Sequence, residues 1–164
     1  MSVVCSYNLS MAVQETLESG VDGASNPVIT HAALDVSGTL RSSTTVPATK
    51  CSFDSVPLVA GAATIDLTAL PMTANSATTF DATGLKVQVI RLENPSTNAN
   101  NITFAEGASN GYSLWGSAWA ITLKPGQAVM YYGADGTPDV AAGDKTIDVT
   151  GTLVQPFKMS IVLG

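Results

Sequence analysis

Apolar and polar residues alternate at every second position through most of this chain. That period confines it to β-structure, because successive strand side chains point to opposite faces while helical neighbours recur every three to four residues. In 146–154, Ile147, Val149, Gly151 and Leu153 alternate with Thr146, Asp148, Thr150 and Thr152. After Pro156, the residues Phe157, Met159, Ile161 and Leu163 share one face, with Lys158 and Ser160 on the other. Ile65 and Leu67 alternate with Thr64, Asp66 and Thr68, Trp119, Ile121 and Leu123 with Ala120 and Thr122, and Tyr7, Leu9, Met11 and Val13 with Asn8, Ser10 and Ala12. Over 85–93 the apolar side switches from Leu85, Val87 and Val89 to Ile90 and Leu92, which predicts a β-bulge or burial on both faces.

Turn chemistry separates these runs. Lys124-Pro125-Gly126-Gln127 places Pro and Gly where a type II turn requires them, and Asn110-Gly111 is a two-residue hairpin signal. Asp135-Gly136 and Gly143-Asp144 are further turns, while 94–101 and 41–49 read as loops. The segment Gln14–Gly20 is the one place where a turn or two of helix is expected. With nine to eleven short strands, the expected fold is an all-β, single-domain, two-sheet antiparallel sandwich of jelly-roll-like form. It spans residues 1–164, with residues 1–27 including an exposed N-terminal arm or loop.

Composition narrows the function classes. A chain of 164 residues is long enough to bury a core without metals or disulfides. Charged residues are only 12 %, against about 25 % in ordinary domains, and Ala, Ser, Thr and Gly fill the difference. The net charge is −6 and the seven Lys and Arg are scattered, so there is no basic footprint for nucleic acid and nothing to attract an anionic membrane. The first basic residue is Arg41, so the start carries neither a signal-peptide nor a transit-peptide pattern, and folding in a cytoplasm is expected. Cys5 and Cys51 fit that compartment as buried reduced thiols, and one bridge between them is the other arrangement open to them.

Catalytic constellations find little support. The single histidine, His31, lies in an apolar stretch and reads as a half-buried strand residue, with no ligand neighbours for a zinc site. There is no Gly-x-Ser-x-Gly elbow, no Walker A loop and no dinucleotide fingerprint. Glu93 and Glu106 sit at strand ends beside turns, which suits structure better than a glycosidase pair. Asp135, Asp139, Asp144 and Asp148 match no calcium-loop spacing. The expectation is therefore a non-enzyme with no catalytic residue, no metal and no cofactor.

One enrichment stands out. Five of the ten aromatic residues, Tyr112, Trp115, Trp119, Tyr131 and Tyr132, fall between positions 112 and 132. Core packing, a protein interface and a glycan-stacking platform all use such residues. The neutral Ser/Thr/Ala/Gly surface favours contact with copies of itself or with a scaffold, since few charges must be desolvated when such faces meet.

The C-terminal half orders these features as Val87–Asn94, Pro95, Ile102–Phe104, Asn110-Gly111, Ile121–Gln127 and a closing hairpin over Ile147–Leu163. In this texture residues 85–164 resemble the small β-sandwich virion proteins of tailed bacteriophages, of the capsid decoration (cement) or tail-associated type. The resemblance implies a viral structural protein, made in the host cytoplasm and located in the virion. It further implies a homo-oligomer, trimer or hexamer, that binds a capsid or tail protein lattice without catalysis. It transfers no site residue. The alternative is a carbohydrate-binding or adhesin-like β-sandwich module using the aromatic platform.

Overall fold

The computed structural model describes residues 3–16, 28–32, 34–72 and 77–164. Fourteen strands follow in chain order: β1 (Val4–Met11), β2 (Gln14–Thr16), β3 (Val28–Thr30), β4 (Leu34–Arg41), β5 (Lys50–Pro57), β6 (Ala62–Asp66) and β7 (Leu70–Pro71). Then come β8 (Thr79–Phe80), β9 (Val87–Glu93), β10 (Ile102–Glu106), β11 (Ala120–Leu123), β12 (Ala128–Tyr132), β13 (Thr146–Thr150) and β14 (Pro156–Leu163). The described residues contain no helix. The chain divides into two compact units, residues 5–39 and residues 1–4 with 40–164.

The larger unit holds two four-stranded sheets, ordered β12-β9-β14-β5 and β11-β10-β13-β6, with every neighbouring pair antiparallel. Counting only these eight strands from the N-terminus, the orders are 6-3-8-1 and 5-4-7-2. That is the jelly-roll arrangement, in which strands adjacent in sequence fold back across two sheets as Greek keys. The apolar side chains read from the alternation meet between the sheets. Ile147 and Val149 of β13, Phe157, Met159, Ile161 and Leu163 of β14, and Ile102 and Phe104 of β10 are all buried there. Phe104 and Phe157 come from opposite sheets and meet edge to face, with ring centroids 5.5 Å apart.

Strand β9 resolves the switch of its apolar side by combining both expected devices. The pairing with β14 slips between Val162 and Leu163, so Gln88 is the extra residue of a bulge. Val87 before it and Ile90 and Leu92 after it therefore all face the core, three and then two positions apart. The displaced Gln88 amide is buried but fully engaged: it donates to Gly164 O and Asp135 Oδ1, and its oxygen accepts the Asp135 amide.

The turn at Lys124–Gln127 is type II, with Gly126 at φ +83° and Gln127 N donating to Lys124 O. Asn110-Gly111, by contrast, is not a two-residue hairpin but lies within the long connection between β10 and β11. Asn110 does adopt a left-handed φ of 55°, and its carbonyl accepts the amides of Lys145 and Thr146. Gly111 is needed because any Cβ there would overlap the Gly107 carbonyl. The Asn-Gly pair thus serves a close backbone crossing.

In the smaller unit, β1 pairs with β4, and β2 pairs with β3 in antiparallel register from Gln14↔Thr30 to Thr16↔Val28. The helix expected over Gln14–Gly20 is replaced at Gln14–Thr16 by this strand; residues 17–20 lie outside the described residues. The Tyr7 ring lies across Gly38, where a Cβ would come within 2.8 Å of its hydroxyl. No residue of this unit with a described exposure is buried, and Val4 at its start, Met11, Val13, Val28, Ile29 and Val36 are exposed.

Candidate functional site

The aromatic residues singled out by the sequence separate into three positions. Tyr112 is fully buried in the core, and its hydroxyl donates to Pro138 O at 2.7 Å while accepting Val87 N at 3.2 Å. Burial raises the phenol above its ordinary pKa, so it remains a neutral donor. Trp119 is also buried, and its indole nitrogen donates to Tyr112 O at 2.8 Å. Trp115 packs edge-on between Trp119 and Tyr131, at centroid distances of 4.8 and 5.2 Å, and both Trp115 and Tyr131 are half-buried against the core. Tyr132 belongs to the other face of β12: it pairs with Val89, whereas Tyr131 pairs with Ile90 of the core.

Four of the five aromatics therefore close the rim of the sandwich beside strands β11 and β12. The long β10–β11 connection carrying three of them is fastened by Glu106, whose carboxylate accepts from the Ser113 hydroxyl and from the Ala118 amide. With Tyr112 and Trp119 buried, Trp115 and Tyr131 remain partly open on one face of β12, and Tyr132 on the opposite face.

The carboxylates are dispersed. Asp148 accepts from Thr64 Oγ1 and the Ala108 amide, and Asp135 accepts from Gln88 and Lys86, which hold its carboxyl below the ordinary range. Glu93 bonds Arg91 at 2.5 Å and faces Lys158 at 3.6 Å on the outer face of the β12-β9-β14-β5 sheet. The Arg91 hydrogen bond is the main reason its carboxyl is depressed. His31, expected to be a half-buried strand residue, is exposed just past the end of β3 and lies 3.6 Å from Glu15. Cys5 and Cys51, expected to be buried, are half-buried and are not joined in a disulfide. Among the described residues no three His, Cys, Asp or Glu side chains are grouped to hold a metal ion, and no helix is long and apolar enough to cross a membrane.

Two further surfaces were not legible from alternation. Val59, Leu153 and Val154 are each more than 70 % exposed on adjoining turns, joined where Gly61 N donates to Leu153 O. An apolar cleft of about 210 Å³ lies beside β5, lined by Val3, Cys51, Met72 and Phe80. The Lys50 ammonium caps this region, donating to Asp81 O and lying 5.3 Å over the Phe80 ring.

Compared with family models, curated proteins and solved structures, the chain matches none of them.

Proposed function

We propose that this chain is a non-enzymatic virion structural protein that self-associates and binds a capsid or tail lattice, in the manner of a decoration or cement protein. The observation that carries the reading is the contrast between the two units. The jelly roll has a filled interior, whereas the unit of residues 5–39 has no buried residue among those with a described exposure and presents apolar side chains such as Met11, Val13, Ile29 and Val36 to solvent. A two-stranded ribbon gains too little burial to be stable alone in water, so such an arm is stabilised when it packs on something else. Jelly rolls also form viral capsid and lectin domains, which supports the reading only as an analogy of fold. The polar groups of the larger unit are tied into its own turns and strands, as Asp148, Glu106 and Gln88 illustrate, and this favours a scaffold over an enzyme. In this reading the protein resides in the virion as a closed homo-oligomer, trimer or hexamer, in contact with a capsid or tail lattice.

The test is native mass by light scattering behind size exclusion, across a hundredfold range of concentration. A closed oligomer of fixed mass is expected. A monomer at every concentration would overturn the self-association on which the reading rests, and a glycan-binding screen would then address the carbohydrate-module alternative through Trp115, Tyr131 and Tyr132.

A further inference from the structure

Sheet edges offer unpaired backbone groups to other chains, and proteins ordinarily guard them with charges, prolines or bulges. In the jelly roll the terminal strands are β5, β6, β11 and β12. Strand β5 is guarded by Lys50, Asp54 and Pro57, and β6 by Asp66. The opposite side is not guarded. Strands β11 (Ala-Ile-Thr-Leu) and β12 (Ala-Val-Met-Tyr-Tyr) contain neither a charge nor a proline.

The register of β12 shows which groups its edge presents. Asn94 N donates to Gln127 O and Gly133 N donates to Gln88 O, so the odd-numbered residues of this strand bond β9. By antiparallel alternation, Ala128 and Met130 turn their amides and carbonyls to the open side. Ala128 is exposed, and Val129, Met130, Tyr131 and Tyr132 are half-buried, leaving partly covered apolar surface along about 17 Å of strand.

A complementary edge occurs in the arm. Of its two longer strands, β4 carries Asp35, Arg41 and Gly38, whereas β1 (Val-Cys-Ser-Tyr-Asn-Leu-Ser-Met) has no charge and no proline over eight residues. Strand β1 also ends a two-stranded sheet and alternates half-buried Cys5, Tyr7 and Leu9 with exposed Val4, Ser6, Asn8 and Ser10. We infer that β1 of one copy adds to the β12 edge of a second copy, extending the β12-β9-β14-β5 sheet by strand augmentation. This rests on the self-association proposed above and names its contact. Neither edge strand brings a charge to be desolvated, and eight residues more than cover five.

The test uses the full chain in a Cys51→Ser background. One population keeps Cys5; the other carries Cys5→Ser with Ala128→Cys, Met130→Cys or Tyr132→Cys, one at a time. The two are mixed and mildly oxidised. Because a disulfide requires Cα atoms roughly 4.4–6.8 Å apart, an inter-copy disulfide at one or more of these positions is expected. A control with Thr64→Cys on the β6 edge should give none. In parallel, Ala128→Lys/Met130→Lys should weaken assembly about a hundredfold, through loss of several edge hydrogen bonds, with the far-ultraviolet circular dichroism unchanged. An oligomer whose mass survives the double substitution, with no disulfide above the control, would overturn the edge assignment and leave self-association standing. A wild-type chain that is monomeric throughout would remove both. If the lysine variant misfolds, the disulfide experiment decides alone.

Discussion

Removing one oxygen from Tyr112 tests whether the aromatic group at the sandwich rim is a structural core element. Tyr112→Phe keeps the ring and the van der Waals packing and creates almost no cavity, so its cost comes from hydrogen bonds alone. The hydroxyl is buried, donates to Pro138 O at 2.7 Å and accepts Val87 N at 3.2 Å. Val87 N starts strand β9 at the bulge, and its hydrogen bond runs to this oxygen. The substitution therefore strands one amide and one carbonyl, each at about 1–3 kcal/mol, for a loss of about 2–6 kcal/mol. For a domain of this length each kcal/mol lowers Tm by roughly 2–4 °C, so a fall of at least about 4 °C is expected. Urea unfolding followed by fluorescence of Trp115 and Trp119 measures the loss directly, with the urea slope serving as a check that the same surface is exposed. A change below about 0.5 kcal/mol, with the slope unaltered, would refute the reasoning, because stranded buried groups cannot be that cheap.

Two further outcomes follow from buried or paired polar groups. Asn94 is fully buried, donates to Asn100 O and Leu123 O, and accepts from Asn98, which in turn reaches Pro156 O; Asn94→Ala should cost about 3 kcal/mol by urea unfolding, since two carbonyls and one amide lose partners together. Glu93 is held below its ordinary value of 4.5 by Arg91, and Asp66 below 3.8 because Thr68 and Lys145 outweigh the burial that raises it. A depressed carboxyl adds stability that is fully present above its unfolded value and is lost as pH falls through the folded one. The urea midpoint should therefore hold from pH 7 to about pH 5 and decline below about pH 4, and the gap between wild type and Glu93→Gln should close over the same range.

Alternation is a local property: it marked the apolar faces inside strands, but it also carried the pattern to Leu153, Met11 and Val13, which are exposed at or beyond the ends of β13 and β1. The inward faces of β13 and β14 were legible because Ile147, Val149, Phe157, Met159, Ile161 and Leu163 share a parity, and strand geometry turns parity directly into a face. The irregularity at Leu85–Leu92 was legible for the same reason, since a break in parity requires an extra residue, and Gln88 supplies it. Gly126 was legible because only its φ > 0 completes the type II turn after Pro125. Asn110-Gly111 was misread because the same residues that suit a tight hairpin also suit a close backbone crossing. Distant contacts with Gly107 and Lys145, which no local window contains, selected the crossing.

The aromatic group failed to declare its role for a related reason. Tyr112 and Trp119 are buried while Trp115, Tyr131 and Tyr132 remain partly open, and what separates them is which neighbour lies above each ring. His31 reads as half-buried because its flanks are apolar, yet it is exposed, as are Val28 and Ile29 before it. Residue type and order settled that strands form, which side of each one is apolar and where most of them turn. The tertiary structure alone decided the 6-3-8-1 and 5-4-7-2 strand orders, and with them which strands end each sheet, because hydrogen-bond partners across a sheet are chosen among strands as far apart as Lys50 and Leu163.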